Sequence, residues 1–128
     1  MSLSGIALGG LRASQMRLTA SASNVANAAS TGDAGTGDAG SAYRPLRVEQ
    51  GALPGGGTSA RMVADGGTVL RYRPGASRAD ARGMVAAPAI DLADEAVGRM
   101  AAVQSFKANV KVIAVADEMA RSALERWG

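Results

Sequence analysis

Residues 91–127, DLADEAVGRMAAVQSFKANVKVIAVADEMARSALERW, read as one uninterrupted helix. Asp91 is placed to cap its first turn, and Asp94 and Glu95 add negative charge where the helix dipole favours it. Pro88 lies just ahead. Apolar residues then recur at steps of three and four through Leu92, Ala96, Met100, Val103, Phe106, Val110, Ile113, Ala120, Leu124 and Trp127, with Asp117 interrupting one turn. Such a helix is about 55 Å long, roughly three times the average globular helix. One small domain core does not cover so long a stripe.

The other end of the chain pairs naturally with it. Residues 2 to about 28 read as a second helix, in which Leu11, Leu18 and Val25 recur every seven positions beside Ala7, Ser14 and Ala22. Gly5, Gly9 and Gly10 lie inside it and each weakens an isolated helix by up to about 1 kcal/mol. Small residues at Gly5, Gly9, Ala13 and Ala20 would let another backbone approach closely.

Between the helices, residues 29–90 are rich in glycine and hold all four prolines. Short strands are expected at 43–49, 59–64 and 68–73, the last from the alternation of Leu70 and Tyr72 with Val69, Arg71 and Arg73. The doubled T-G-D-A-G at 31–40 has no bulky residue to bury and reads as a surface loop.

Composition removes several classes of function. The 128 residues include neither Cys nor His, so disulfides, the usual zinc sites, Ser-His triads and thiolate nucleophiles are all absent. Asp91, Asp94 and Glu95 are explained by a capped helix start, and no enzyme, cofactor or metal site is expected. Alanine supplies much of the apolar content, with one Phe, one Trp and two Tyr, so a core made by this chain alone is thin and neighbouring chains are expected to complete it. A net charge of +3 is too mild to name nucleic acid as a partner, although Tyr43 and Tyr72 beside Arg44, Arg47, Arg71 and Arg73 leave an Arg-rich nucleic-acid or protein binding module as the alternative. The N-terminal stretch lacks the basic start of a secretory signal, and no apolar run reaches the ~20 residues of a membrane helix.

Both ends resemble the flagellar basal-body rod and hook proteins. SGIALGGLRASQMRLTASASNVANAAST, residues 4–31, is similar to that family's N-terminal segment, with Asn24, Val25, Ala26, Asn27 and Ala28 on its N-[IV]-A-N-A ending. In residues 90–124, Gln104, Phe106, Ala108, Asn109 and Val112 stand on the family's Q-x-[YF]-x-A-N-x-x-V pattern. The run YRPGASRADARGMVAAPAIDL, residues 72–92, resembles the proximal-rod type through Tyr72, Pro74, Gly75, Ala79, Gly83, Val85 and Pro88, and departs from it at Met84, Ala89, Ala76 and Ser77. The T-G-D-A-G repeat then stands where that type already carries a loop.

The resemblance implies a structural protein, exported by the flagellar type III apparatus without a cleaved signal peptide. It would assemble with copies of itself and other rod proteins into a helical tube that spans the periplasm and transmits torque, with no nucleic acid and no small-molecule substrate as partner. The expected fold is mainly α: long N-terminal and C-terminal helices (1–28 and 91–128) paired as a coiled-coil-like hairpin, with a small Gly-rich β/loop region (29–90) between them. The residues expected to carry packing and assembly are Leu11, Leu18, Asn24, Val25, Asn27, Tyr72, Pro74, Gly83, Pro88, Met100, Val103, Phe106, Asn109, Val110, Ile113 and Leu124.

Overall fold

The computed structural model describes residues 2–34 and 42–127, so most of the T-G-D-A-G repeat lies outside the described residues. Helix α1 spans Leu3–Asn27, and its N-cap Ser2 accepts a hydrogen bond from the Gly5 N–H at 3.2 Å. Helix α2 spans Leu92–Trp127, where Asp91 Oδ1 accepts from the Ala93 N–H at 2.8 Å and the Asp94 N–H at 3.3 Å. Five strands lie between them: β1 (Gly32–Asp33), β2 (Leu46–Ala52), β3 (Thr58–Ala64), β4 (Thr68–Tyr72) and β5 (Met84–Pro88).

The fold is therefore helix–strand–helix, with two antiparallel sheets and 22% of residues in strands, and the expectation of a mainly α hairpin is corrected. Glycines lie at the turns between paired strands, Gly56 and Gly57 between β2 and β3 and Gly75 and Gly83 between β4 and β5. Strands β2 and β3 pair along seven residues each, from Leu46 opposite Ala64 to Ala52 opposite Thr58. Their turn closes through Gly56 and Gly57 at φ of 86° and 85°, a conformation glycine adopts without the cost a Cβ imposes. The second sheet has the order β1-β5-β4, and its central strand β5 was not anticipated. Val85, Ala86, Ala87 and Pro88 are all buried there. The first T-G-D, read as loop, supplies β1, which pairs Gly32 with Ala86 and Asp33 with Val85.

Helix α1 is the middle layer. It packs against α2 on one side and against β2 and β3 on another, whereas α2 makes its extensive contacts with α1. Adjacent glycines serve the two sides: a Cβ on Gly9 would lie 3.0 Å from the Thr58 carbonyl oxygen of β3, and one on Gly10 would lie 2.6 Å from Asn109 Oδ1 of α2. The helix that is weakest by propensity is thus the one with the most neighbours, as expected where packing rather than propensity stabilises a helix.

Candidate assembly faces

The closed end of the helix pair is organised by Asn24, which is 3% exposed. Its Oδ1 accepts from the Leu46 N–H at 2.7 Å and the Tyr43 hydroxyl at 2.9 Å, and its Nδ2 donates to the Leu46 carbonyl at 2.8 Å and to Glu95 Oε1 at 2.6 Å. Two donors and two acceptor sites are all used, the full capacity of an amide side chain. Asn24 pairs with the Leu46 backbone as a neighbouring strand would, and so joins α1, β2 and α2 at one point. Asn27, the second asparagine of N-V-A-N, only donates to the Ser23 carbonyl of its own helix at 2.9 Å.

Along α2 the side facing α1 is made of small and polar residues. Ala102 is 1% exposed, and Glu95, Asn109 and Ala116 recur about it at heptad spacing, with Ser105, Phe106 and Ile113 half-buried on the same side. Most of the other large apolar side chains point elsewhere. At about 100° per residue, Leu92, Val103 and Val110 lie roughly 80–100° to one side of Ala102, and Val97, Val112 and Val115 roughly 80–140° to the other. All six are exposed, as is Met100 at 65%. On α1, Leu11 and Leu18 are half-buried and Val25 is exposed.

A third apolar surface comes from length. The contacts of Asn24 with Glu95 and of Gly10 with Asn109 run the helices antiparallel and put Leu3 opposite Ala116. The remaining eleven residues of α2, 117–127, continue about 16 Å past the capped start of α1. Met119, Leu124 and Trp127 are exposed on this extension, Trp127 at 89%.

Tyr72 ends β4, Pro74 and Gly83 lie in the β4–β5 connection, and Pro88 ends β5 opposite Thr68. Pro88 is buried, Tyr72 and Pro74 are exposed, and Gly83, at φ +74°, has the Tyr72 ring and Pro74 close enough to exclude a Cβ. Asp80 orders the loop: its Oδ1 accepts from the Arg82 N–H at 2.8 Å and the Met84 N–H at 2.9 Å. The Met84 N–H, aided by the Arg82 N–H and guanidinium and opposed by desolvation, holds the carboxyl below its ordinary range. A carboxyl with a folded pKa below its unfolded value stabilises the loop above the unfolded value and ceases to do so as the pH falls through the folded one. The protection of the Met84 amide, its exchange measured against the intrinsic rate at each pH, is expected to fall on acidification through that window, and Asp80→Asn is expected to remove that loss of protection.

Of the expected packing residues, Asn24, Phe106, Asn109 and Ile113 lie at the helix seam, Met100, Val103 and Val110 face outward, and Leu124 is exposed on the extension past α1. The sequence pointed to Tyr43 only for the Arg-rich alternative and not as a partner of Asn24, and it passed over Ala102 and the bond between Asn24 and Glu95. The heptad recurrence of small residues at Ala7, Ser14 and Ser21, and at Ala102, Asn109 and Ala116, was the available signal. Among the described residues no group of three acidic side chains is arranged to hold a metal ion. Among the described residues no helix is long and apolar enough to cross a membrane.

A closed helix pair that leaves most of its large apolar side chains exposed is the form of a subunit with surface left for packing. Residues 81–126 match the family described as flagellar basal body rod FlgEFG protein C-terminal. Over 115 residues, 84% of this chain and 83% of the relative, it is 38% identical to the flagellar basal-body rod protein FlgC of Escherichia coli O6:H1. With the same coverage it is 36% identical to FlgC of Salmonella typhimurium and 37% identical to FlgC of Yersinia enterocolitica. The chain belongs to the flagellar basal-body rod protein family and is a structural component of the flagellar basal body.

Proposed function

We propose that the chain assembles with copies of itself and with other rod proteins into a helical tube that crosses the periplasm and transmits torque. The observation that carries this reading is the outward face of α2, where two apolar flanks and an eleven-residue extension are left uncovered by the described residues of the chain. Contiguous exposed apolar surface of this kind marks an interaction site. Contacts between different surfaces of successive copies, when the rotation does not close a ring, generate a helical assembly. Torque is then shared among many helix interfaces in parallel. Delivery is by the flagellar type III apparatus, and the chain acts without cofactor, catalysis or small-molecule substrate.

The Arg-rich alternative has less support. Arg47 pairs with Glu49 at 3.0 Å and with Asp65, and Arg61 pairs with Glu49 at 2.5 Å, so the basic charge on the β2–β3 hairpin is matched within the chain. A salt wash distinguishes the two. Tagged chain in purified basal bodies is expected to withstand about 1 M salt, where the Debye length is about 3 Å. A chain held on a polyanion would instead be released steeply with rising salt. Release in salt, or absence from basal bodies, would contradict the proposed function.

A further inference from the structure

The seam between α1 and α2 poses a problem of register. Ala7, Ser14 and Ser21 of α1 meet a face of α2 on which Ala102 and Ala116 recur among small and polar residues. The two larger side chains at the seam, Phe106 and Ile113, are themselves seven residues apart. A slide by one heptad sets small residue on small residue again, and so leaves this packing nearly unchanged. Something else must select one alignment.

We propose that the axial register of the helix pair is set by two polar pins, Asn24 with Glu95 and Asn109 with Gly10. Asn24 is buried, and Glu95 is the acceptor for one of its two amide hydrogens. Sliding α2 removes that carboxylate and leaves a buried N–H without a partner, the costly state of a polar group. At the second pin the Asn109 amide lies against the α1 backbone, where a Cβ on Gly10 would fall 2.6 Å from Oδ1 and 2.7 Å from Nδ2. The amide is fixed in that pose by donating to the Ser105 carbonyl of its own helix at 2.9 Å. Only glycine admits it. A one-heptad slide would bring Leu3 or Arg17 to that place.

The pins reinforce each other because they are equally spaced: Gly10 and Asn24 are fourteen residues apart on α1, and Glu95 and Asn109 are fourteen apart on α2. In an antiparallel pair both are met in one alignment. This goes beyond α1/α2 packing to its consequence for assembly, a step that rests on the proposed rod function. A slide of one heptad changes the length of uncovered α2 by about 10 Å and would misplace the surface offered to the next subunit.

The test uses the whole chain, whose lack of cysteine makes introduced thiols unique. Ser14→Cys with Ser105→Cys reads the native register, and Ser14→Cys with Val112→Cys reads the register displaced by seven. With the pins intact, the native pair is expected to form its disulfide at least tenfold faster than the displaced pair. Adding Asn24→Leu and Asn109→Leu, which preserve bulk, is expected to bring the two rates within threefold at unchanged helix content. Should that background lose helix content, Asn109→Ala alone and Glu95→Ala alone are expected to lower the ratio at least threefold, and Glu95→Gln, which keeps an acceptor, to retain it. A ratio still at tenfold in any folded pin variant other than Glu95→Gln would overturn the proposal and assign register to the two-residue β1–β5 pairing. None of these rates depends on rod assembly, so a failure of the rod reading would show separately, as absence from basal bodies.

Discussion

Replacing Ala102 with Asp is expected to separate α2 from α1 and unfold the helix pair. Ala102 is the one residue of α2 that is fully buried among the described residues, and its methyl group lies in a seam too narrow for a carboxylate. Burying an unpaired charge costs several kcal/mol, and relief requires the helices to part. A domain of this size has about 5–15 kcal/mol of total stability, so a loss of about 3–5 kcal/mol removes a large share of it. Denaturant unfolding followed by circular dichroism checks this. Ala102→Ser, nearly isosteric with a hydroxyl able to bond the preceding turn, is expected to cost about 1 kcal/mol or less.

The same substitution eight residues on is expected to act in the opposite way. Val110 is 45% exposed on a flank of α2 that α1 does not cover, so Val110→Asp should change monomer stability by no more than about 0.5 kcal/mol. In the rod, that flank is proposed to lie against a neighbouring subunit, where the same carboxylate would be buried without a partner. Assembly is expected to fail while export continues: the variant accumulates outside the cytoplasm, and electron micrographs show no complete rods. Lys111→Asp, one position along and pointing away from α1, is the control and should leave rods intact or reduce them far less. Normal rods with Val110→Asp, or greater damage from Lys111→Asp, would show that this flank is not an interface.

The contrast between Ala102 and Val110 also shows where the sequence was legible. The extent of α2 followed from Asp91 and an unbroken spacing of three and four, both local signals. Its inward side did not follow, because the usual rule assigns the largest apolar side chains to the chain's own core. In a subunit proposed to be completed by neighbours that rule inverts: alanine and serine lie inside, and valine, methionine and leucine lie outside. Strand β5 escaped because Val85-Ala86-Ala87-Pro88 lacks the alternation and the large β-branched content of a recognisable strand, and it is buried by tertiary packing. The two asparagines of N-V-A-N look equivalent in the sequence. Only the structure separates Asn24, with four hydrogen bonds across three elements, from Asn27, which bonds back into its own turn.

The central claim is that neighbouring subunits in the rod cover the outer flanks of α2. Single cysteines at Val97 and Val110, one on each flank, give the most direct reading, with Ala52 at the end of the exposed hairpin as reference. In monomer all three thiols are expected to react with a small maleimide at similar rates. In purified basal bodies positions 97 and 110 are expected to slow at least tenfold relative to monomer. Unchanged reactivity at both positions in basal bodies that contain the protein would contradict the account.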